Sequence, residues 1–232
     1  MKKIIAICLL LVAVACSSKK EGNMIVQGNI KGLKKGTLYL QKMKDTVLVS
    51  IDSVKVFGSG DFKLTDNVTS PVVYYLTFDG NTTNKRILFF GNKGTITIND
   101  NIEFFGVAPE ITGSENQIIF NNYLKINSGF NNQNLEFIKQ DFEAKKSQNV
   151  DLQEKLRQDY NKMIRRRYLF TTNFALANAN SDVAPYLALT ELYNANIKLL
   201  DTINNSLSPK VKKSDYGKRL DKFIEQIKSK EK

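Results

Sequence analysis

The sequence changes its hydrophobic periodicity once, near Gly113, and this change restricts the chain to folds in which strands precede helices. Residues 24–107 alternate apolar and polar side chains in short runs, as half-buried strands do. From Gly113 onwards, apolar residues recur three and four positions apart, as on one face of a helix. We therefore predict an α+β protein, with an antiparallel β-sandwich or partly closed barrel followed by a helical segment.

Eight runs in the first half are predicted to be strands, because turn signals rich in Gly, Asn and Asp separate them. The run 72–78 is apolar or aromatic on both faces, so we predict a central strand that is covered on both sides. One of its tyrosine faces is a candidate lining for a ligand groove. The predicted strands are 24–31, 37–43, 47–57, 61–65, 72–79, 85–91, 95–99 and 102–107.

The helical half begins with a capping signal, because Ser114 is followed three residues later by Gln117. The Asn-rich stretch 127–134 is expected to break this first helix, and a second helix follows around Ile138. The longest helix is predicted over residues 150–177, where large apolar side chains fall on one stripe. The β domain is therefore assigned to residues 24–112 and the helical domain to residues 113–232.

Two further helices complete the predicted helical domain. Asp182 is expected to cap one of them, which places Pro185 in its first turn, where a missing N–H is tolerated. The last helix is predicted to fold back on the long helix near Met163, Phe170 and Phe174, because it carries one apolar face; the alternative is that this face stays available to a partner. That face consists of Tyr216, Leu220, Phe223, Ile224 and Ile227.

The first fifteen residues have the layout of a secretory signal peptide. Two lysines precede an apolar run over residues 4–14, which is shorter than the about 20 residues needed to span a bilayer. The box Ala13-Val14-Ala15-Cys16 resembles the lipobox of bacterial lipoproteins. This resemblance implies cleavage between Ala15 and Cys16, acylation of the Cys16 thiol, and a polar tether over residues 16–23. A plain secreted protein is the alternative.

The side-chain inventory excludes several kinds of catalysis. The chain has no His, and its two cysteines are Cys8, in the predicted signal peptide, and Cys16, which the lipid would consume. Ser-His and Cys-His nucleophile systems and the commonest metal ligand are therefore missing. We expect no cofactor, no metal site and no enzymatic activity. An enzyme with an unrecognised carboxylate, Lys or Tyr site is the alternative.

The charge balance favours acidic partners. The formal net charge is +11, which favours anionic lipid head groups, an acidic protein partner or an acidic glycan. Export argues against nucleic acid. We expect the basic cluster 165–167 to be the solvent face of a helix, with a dedicated anion site as the alternative.

The acids Asp151 and Glu154 lie at helical spacing beside Lys155 and Arg157, which indicates a solvated helix face rather than a catalytic pair.

Several short stretches carry a resemblance to a known family. They are Gly28-Asn29-Ile30-Lys31-Gly32 leading into Gly36-Thr37-Leu38-Tyr39-Leu40, Asp52-Ser53 followed by Gly60-Asp61-Phe62, and Gly113-Ser114-Glu115-Asn116-Gln117 leading to Asn122-Tyr123-Leu124. On these residues, 26–127 resembles the DUF4369 domain, the N-terminal β domain of Bacteroidetes envelope thiol–disulfide oxidoreductases. Residues 206–209 and 214–218 resemble the helical segment of the same proteins.

In that family the helical segment leads into a thioredoxin domain with a Cys-x-x-Cys pair, and no such pair follows in this sequence. The resemblance therefore carries over no catalytic residue. We predict a non-catalytic binding or scaffold lipoprotein of the cell envelope, anchored in the outer membrane and facing the periplasm. An envelope protein or an acidic ligand is its expected partner. The alternative is a remnant or a split half of an oxidoreductase.

Overall fold

Strands and helices occupy separate halves of the chain in the computed structural model, which describes residues 22–79 and 85–230. The strands are β1 (Met24–Lys31), β2 (Lys35–Lys44), β3 (Val47–Phe57), β4 (Asp61–Asp66), β5 (Val72–Phe78), β6 (Ile87–Gly91), β7 (Gly94–Asn101) and β8 (Glu110–Thr112). The helices are α1 (Glu115–Lys146), α2 (Val150–Ala177), α3 (Val183–Glu191), α4 (Ile197–Ser206), α5 (Pro209–Lys212) and α6 (Asp215–Lys230). The predicted α+β class is confirmed.

The strands form two four-stranded sheets that pack face to face. The first has the order β4-β1-β7-β8 and the second the order β3-β2-β5-β6. All pairs are antiparallel except β1 with β7. Apolar side chains from both sheets, such as Ile96 of β7 and Leu76 of β5, share one buried core. The sandwich prediction is therefore confirmed, whereas the barrel alternative is wrong, because the two sheets remain separate.

Strand β5 is covered on both faces, as its sequence predicts. It lies between β2 and β6 in the second sheet. Tyr74 and Leu76 point into the sandwich core, whereas Val73 and Tyr75 belong to a cluster that includes helical residues. The second sheet is thus the middle layer of three, between the first sheet and the helices.

The predicted strand 102–107 is wrong. Residues Ile102–Phe104 form a single 3₁₀ turn. The Asn101 side chain accepts the Glu103 N–H at 3.0 Å, and the Asp100 carboxylate accepts the Gly106 N–H at 2.7 Å. Such local side-chain bonds compete with strand pairing. The strand that pairs with β7 is β8 instead.

Helix α1 is continuous through residues 127–134, so the predicted break is wrong. Ser and Gly in this stretch lower helix propensity by roughly 0.5–1 kcal/mol each. Packing on α2 compensates for this cost, because the Phe130 ring lies 5.7 Å from the Phe170 ring and Asn127 is buried. No helix within 22–79 and 85–230 has the length and apolar character needed to cross a membrane.

Helix α6 folds back on the helical domain, which confirms that prediction in part. Leu220 and Ile224 are buried in a cluster with residues of α3 and α4, such as Ala188 and Leu200. Only Tyr216, at the start of α6, shares a cluster with Phe170 and Phe174 of α2. The long helix contributes Ala175 to the cluster of Leu220 and Ile224, so α6 packs mainly on α3 and α4 rather than on the predicted stripe near Met163 and Phe170.

Candidate functional site

A groove of about 770 Å³ lies between the outer face of the second sheet and the helices α3 and α6. We call it the tyrosine groove, after Tyr75 of β5, Tyr186 of α3 and Tyr216 of α6, which line it. Apolar side chains of β3 and α3 extend the same surface. Lys42, Lys44 and Arg219 are the cationic residues of its lining.

The groove begins where β2 separates from β5. The two strands pair only as far as Lys42 and Tyr74. The next backbone N–H, that of Val73, donates to the Tyr216 hydroxyl at 3.0 Å instead of to a strand. The Asp215 N–H donates to the Ser70 hydroxyl at 3.1 Å. These two bonds fix the start of α6 against the sheet and so position Tyr216.

The ring of Phe90, on the edge strand β6, organises the aromatic side chains behind the groove. Its centroid lies 5.2 Å from that of Tyr186, 6.4 Å from that of Tyr216 and 5.5 Å from that of Phe120. The Tyr186 and Tyr216 rings are 5.2 Å apart. Aromatic pairs at such distances hold one another in defined orientations. The tyrosines are therefore presented by a rigid support.

Gln117 joins the first helix to the edge of the second sheet. The Ser114 hydroxyl accepts the Gln117 N–H at 3.3 Å, as the capping box predicts. The Gln117 side chain does not return to Ser114: its amide oxygen accepts the Phe90 N–H at 2.8 Å and its amide nitrogen donates to Asn121. The edge strand thereby gains a partner for an otherwise unpaired donor.

The phenols of the groove are hydrogen-bond donors at neutral pH. Burial raises the pKa of Tyr186, and it raises the pKa of Tyr216 to about 12. Tyr216 already accepts the Val73 N–H, so its own proton is available. Within the described part of the chain, the hydroxyls of Tyr75 and Tyr186 have no hydrogen-bond partner. The groove therefore offers three O–H donors to a ligand.

The groove lining carries three cations against the two carboxylates of Asp45 and Asp215, and a further cation, Arg86, lies beside it. The Arg86 guanidinium lies 4.6 Å from the Tyr75 ring centroid, and Arg219 lies 5.9 Å from that of Tyr216. Arg219 also pairs with Asp215 at 2.7 Å. Among residues 22–79 and 85–230, Lys44 forms no ion pair. The combination of phenol donors and cations suits an anionic ligand.

A second charged group lies beside the groove, where β2 ends. The Lys42 amine lies 2.5 Å from the Asp66 carboxylate, and the Tyr74 hydroxyl donates to the same carboxylate at 2.6 Å. Burial, together with this carboxylate, raises the pKa of Tyr74. Lys42 is therefore already neutralised and contributes less to an anion site than Lys44 does. No three acidic or cysteine side chains of the described segments are grouped to hold a metal ion.

The structure separates the residues that the sequence singled out. Of the tyrosine pair on β5, Tyr75 lines the groove with its ring and Tyr74 points into the core. Glu154 pairs with Arg157 at 2.8 Å, and both side chains are exposed, which confirms the solvated helix face. The predicted cleavage site at Ala15 and the lipidated Cys16 lie outside the described residues.

Two predictions about charged side chains need correction. Arg165 and Arg166 are exposed, but Arg167 turns inward and pairs with Glu191 at 2.7 Å. Asp182 precedes α3 without a side-chain capping bond. Ser181 provides the cap, because its hydroxyl accepts the Val183 N–H at 3.2 Å. Asp182 is instead buried, and burial raises its pKa.

Sequence reasoning missed the groove as a unit. Tyr186 and Tyr216 lie more than one hundred positions after Tyr75, and no spacing in the sequence connects the three. The sequence pattern places Tyr216 on an apolar helix face, and no pattern marks Tyr186. The one sequence signal for the groove is the tyrosine face of the run 72–78, which identifies the wall of the groove that contains Tyr75.

The family model of DUF4369, a domain of unknown function, matches residues 24–120. These residues contain all eight strands and the first six residues of α1. Neither the curated proteins nor the solved structures contain a match to the chain. Tyr75 lies inside the matched segment, whereas Tyr186 and Tyr216 lie on helices beyond it. The strand half of the chain therefore matches the DUF4369 family model, and the groove lies between the matched segment and the helices that follow it.

Proposed function

We propose that this protein is a non-catalytic binding module of the bacterial envelope that holds an acidic segment of a partner protein in the tyrosine groove. The observation that carries the proposal is the convergence of Tyr75, Tyr186 and Tyr216 in one concave site. Its volume of about 770 Å³ falls within the roughly 300–1,000 Å³ that is usual for ligand sites.

The polar groups of the groove favour a carboxylate. Phenol and guanidinium donors form charge-assisted hydrogen bonds to carboxylates that are about twice as strong as neutral ones. The Tyr186 and Tyr216 phenols are protonated at neutral pH, and burial raises their pKa further above the ordinary tyrosine value of about 10. Cleavage before Cys16 would remove Lys2 and Lys3 and leave a net charge of +9, which attracts acidic partners over longer distances.

Attachment to the membrane through Cys16 is the second part of the proposal, and its support is the lipobox-like sequence that ends at Cys16. Two acyl chains anchor a protein stably, so the groove would work at the membrane surface, on the periplasmic side of the outer membrane. Cys16→Ser should release the protein from membranes and abolish incorporation of a palmitate analogue. Unchanged membrane association together with unchanged labelling would contradict this part.

The binding proposal is tested by NMR titration of ¹⁵N-labelled residues 17–232. The probes are an N-acetylated tetraglutamate amide and the matching tetraglutamine peptide, which differ in charge and hardly in size. We expect saturable shifts at the amides of Val73, Tyr75, Tyr186 and Tyr216 with the glutamate peptide alone. Shifts spread over exposed lysines, without saturation at these four residues, would contradict the assignment of the groove.

A matched pair of variants separates the phenol from the ring. Tyr186→Phe removes one hydroxyl and keeps the ring that packs on Phe90, so it should weaken binding about tenfold, as loss of a hydrogen bond to a charged group does. Tyr160→Phe, on α2 and outside the groove, is the control and should bind as wild type does. Equal affinities for all three proteins would argue against hydrogen bonding by the phenols.

A further inference from the structure

The end of the α1–α2 hairpin carries an apolar surface that nothing in the described chain covers. Ten of the sixteen exposed large apolar side chains in residues 22–79 and 85–230 lie on these two helices. Several of them meet near the turn between the helices, where Ile138 is 59% exposed, Phe142 65% and Val150 73%. We define the tip surface as Leu135, Ile138, Phe142, Val150 and Tyr160.

Ile138 connects the two parts of the tip surface, the apolar stripe of α1 and the groove between the helices. Leu135, Ile138 and Phe142 are spaced three and four residues apart, which places them on one face of α1. Ile138 also lines a groove of about 690 Å³ between the two helices, together with Val150 and Tyr160. The ring of Phe137 supports Tyr160 from within the hairpin, at a centroid distance of 5.8 Å. A stripe and an adjacent groove on the same face form a shape that a ridge of another helix can fill.

The charge balance around the tip surface indicates which kind of partner can bind there. Residues 134–162 contain six basic and six acidic side chains, which leaves 28 basic and 17 acidic residues in the rest of the chain. Three ion pairs neutralise charge within this region, Asp141 with Lys145, Glu154 with Arg157 and Asp159 with Lys162. A strongly acidic or basic partner finds no complementary field here. Two copies of the same neutral surface approach without the repulsion that the basic remainder would impose.

We propose that the tip surface pairs with the tip surface of a second copy of this chain, so that two hairpins form an antiparallel four-helix contact. Aromatic side chains have roughly 150–250 Å² of surface each and aliphatic ones somewhat less, so the exposed fractions of these five residues amount to roughly 500–600 Å² per copy. A stable interface buries about 800 Å² per partner, of which the polar rim supplies the rest. Closed two-fold pairs are the commonest homo-oligomers and require such a self-complementary surface.

Sedimentation equilibrium of residues 17–232 over a wide concentration range tests the proposal. We expect a reversible monomer–dimer equilibrium in the wild-type protein. Ile138→Glu should raise the dimer dissociation constant at least about tenfold, because it places a charge in the apolar contact. Ile126→Glu is the matched control, since Ile126 is exposed to a similar degree on the same helix but lies outside the tip surface, and it should leave the constant unchanged.

Circular dichroism and thermal unfolding at low protein concentration should be the same for both variants and the wild type, because neither side chain is buried. A protein that stays monomeric at all concentrations would overturn the proposal. A dimer that Ile138→Glu leaves intact would overturn it as well, because association would then use another surface. If a strictly monomeric chain captures a different protein, and Ile138→Glu abolishes that capture while Ile126→Glu does not, the tip surface binds that protein instead.

Discussion

The two ends of the α1–α2 hairpin have similar apolar spacing but different surroundings. At its base, Phe120, Tyr123, Phe170 and Phe174 pack in one cluster with Phe90 of the second sheet. At its tip, Leu135, Ile138 and Phe142 follow the same three-and-four spacing and remain exposed. The comparison shows that apolar residues at helical spacing indicate a face that a helix can bury, and do not indicate that the face is buried. Whether the face is covered depends on whether another layer lies within reach, and the sheet reaches only the base.

The comparison predicts its largest effect for Tyr123→Ala. The Tyr123 ring is completely buried, stacks on Phe170 at 5.6 Å and places its hydroxyl 3.0 Å from that of Thr171. Its loss should lower the free energy of unfolding by about 3–5 kcal/mol in urea denaturation. Phe142→Ala, at the tip, should change it by less than about 0.5 kcal/mol in dilute protein. Equal losses at both sites would mean that the tip is as well covered as the base.

A smaller effect is expected for Gln117→Ala. This substitution leaves the Phe90 N–H of the edge strand buried without a partner, so it should lower the free energy of unfolding by about 1–3 kcal/mol. Gln140→Ala is the control from the tip, where the Gln140 amide meets Glu136 at the surface, and it should cost less than about 0.5 kcal/mol. Similar values for the two glutamines would show that the bond to the sheet does not stabilise the base.

Features of the fold that depend on local patterns can be predicted from the sequence more accurately than features that depend on distant contacts. The bounds of β1, β3 and α2 follow from the sequence to the residue, because strand alternation and helical spacing are local patterns. The 3₁₀ turn after β7 was missed because two side chains, Asn101 and Asp100, capture backbone N–H groups there. That competition is local as well, but it overrides the preference of the apolar run 102–107 for a strand.

The continuity of α1 and the tyrosine groove depend on contacts between distant residues. The stretch 127–134 reads as a helix break because its propensity is low, and Phe170, some forty positions later, stabilises it. The groove needs the second sheet to lie between two layers before Tyr75 and Tyr216 can meet. A single sequence shows the residues of both features, but it does not show which distant residues contact one another.

The smallest expected effect is a difference in pH dependence between the helix layer at the base and the tip. Burial raises the pKa of Asp182, so the stability associated with that carboxyl is complete at acidic pH and is lost as the pH rises through its folded-state pKa. Asp182→Asn should therefore be more stable than wild type at about pH 7, and the difference should shrink towards about pH 4. Thermal unfolding across this range measures it.

Glu154 at the tip provides the control with the opposite sign. Hydrogen bonds from Arg157 lower its pKa to about 2, so its contribution is present at neutral pH and is lost only as the pH falls towards that value. The pair is exposed and screened by salt, so Glu154→Gln should leave the pH profile between about 7 and 5 unchanged. A stability difference for Asp182→Asn that does not vary with pH would remove ionisation as its cause.

The central claim, that the base of the hairpin belongs to the folded core while its tip is an uncovered surface, is tested most directly by amide hydrogen exchange along α1. In dilute monomer, amides at 117–127 should exchange with a free energy close to that of global unfolding, and amides at 134–146 should exchange through a smaller local opening. At high concentration the tip amides should become protected while the base amides stay the same. Uniform protection along α1 in dilute protein, or a first opening at 127–134, would contradict the account.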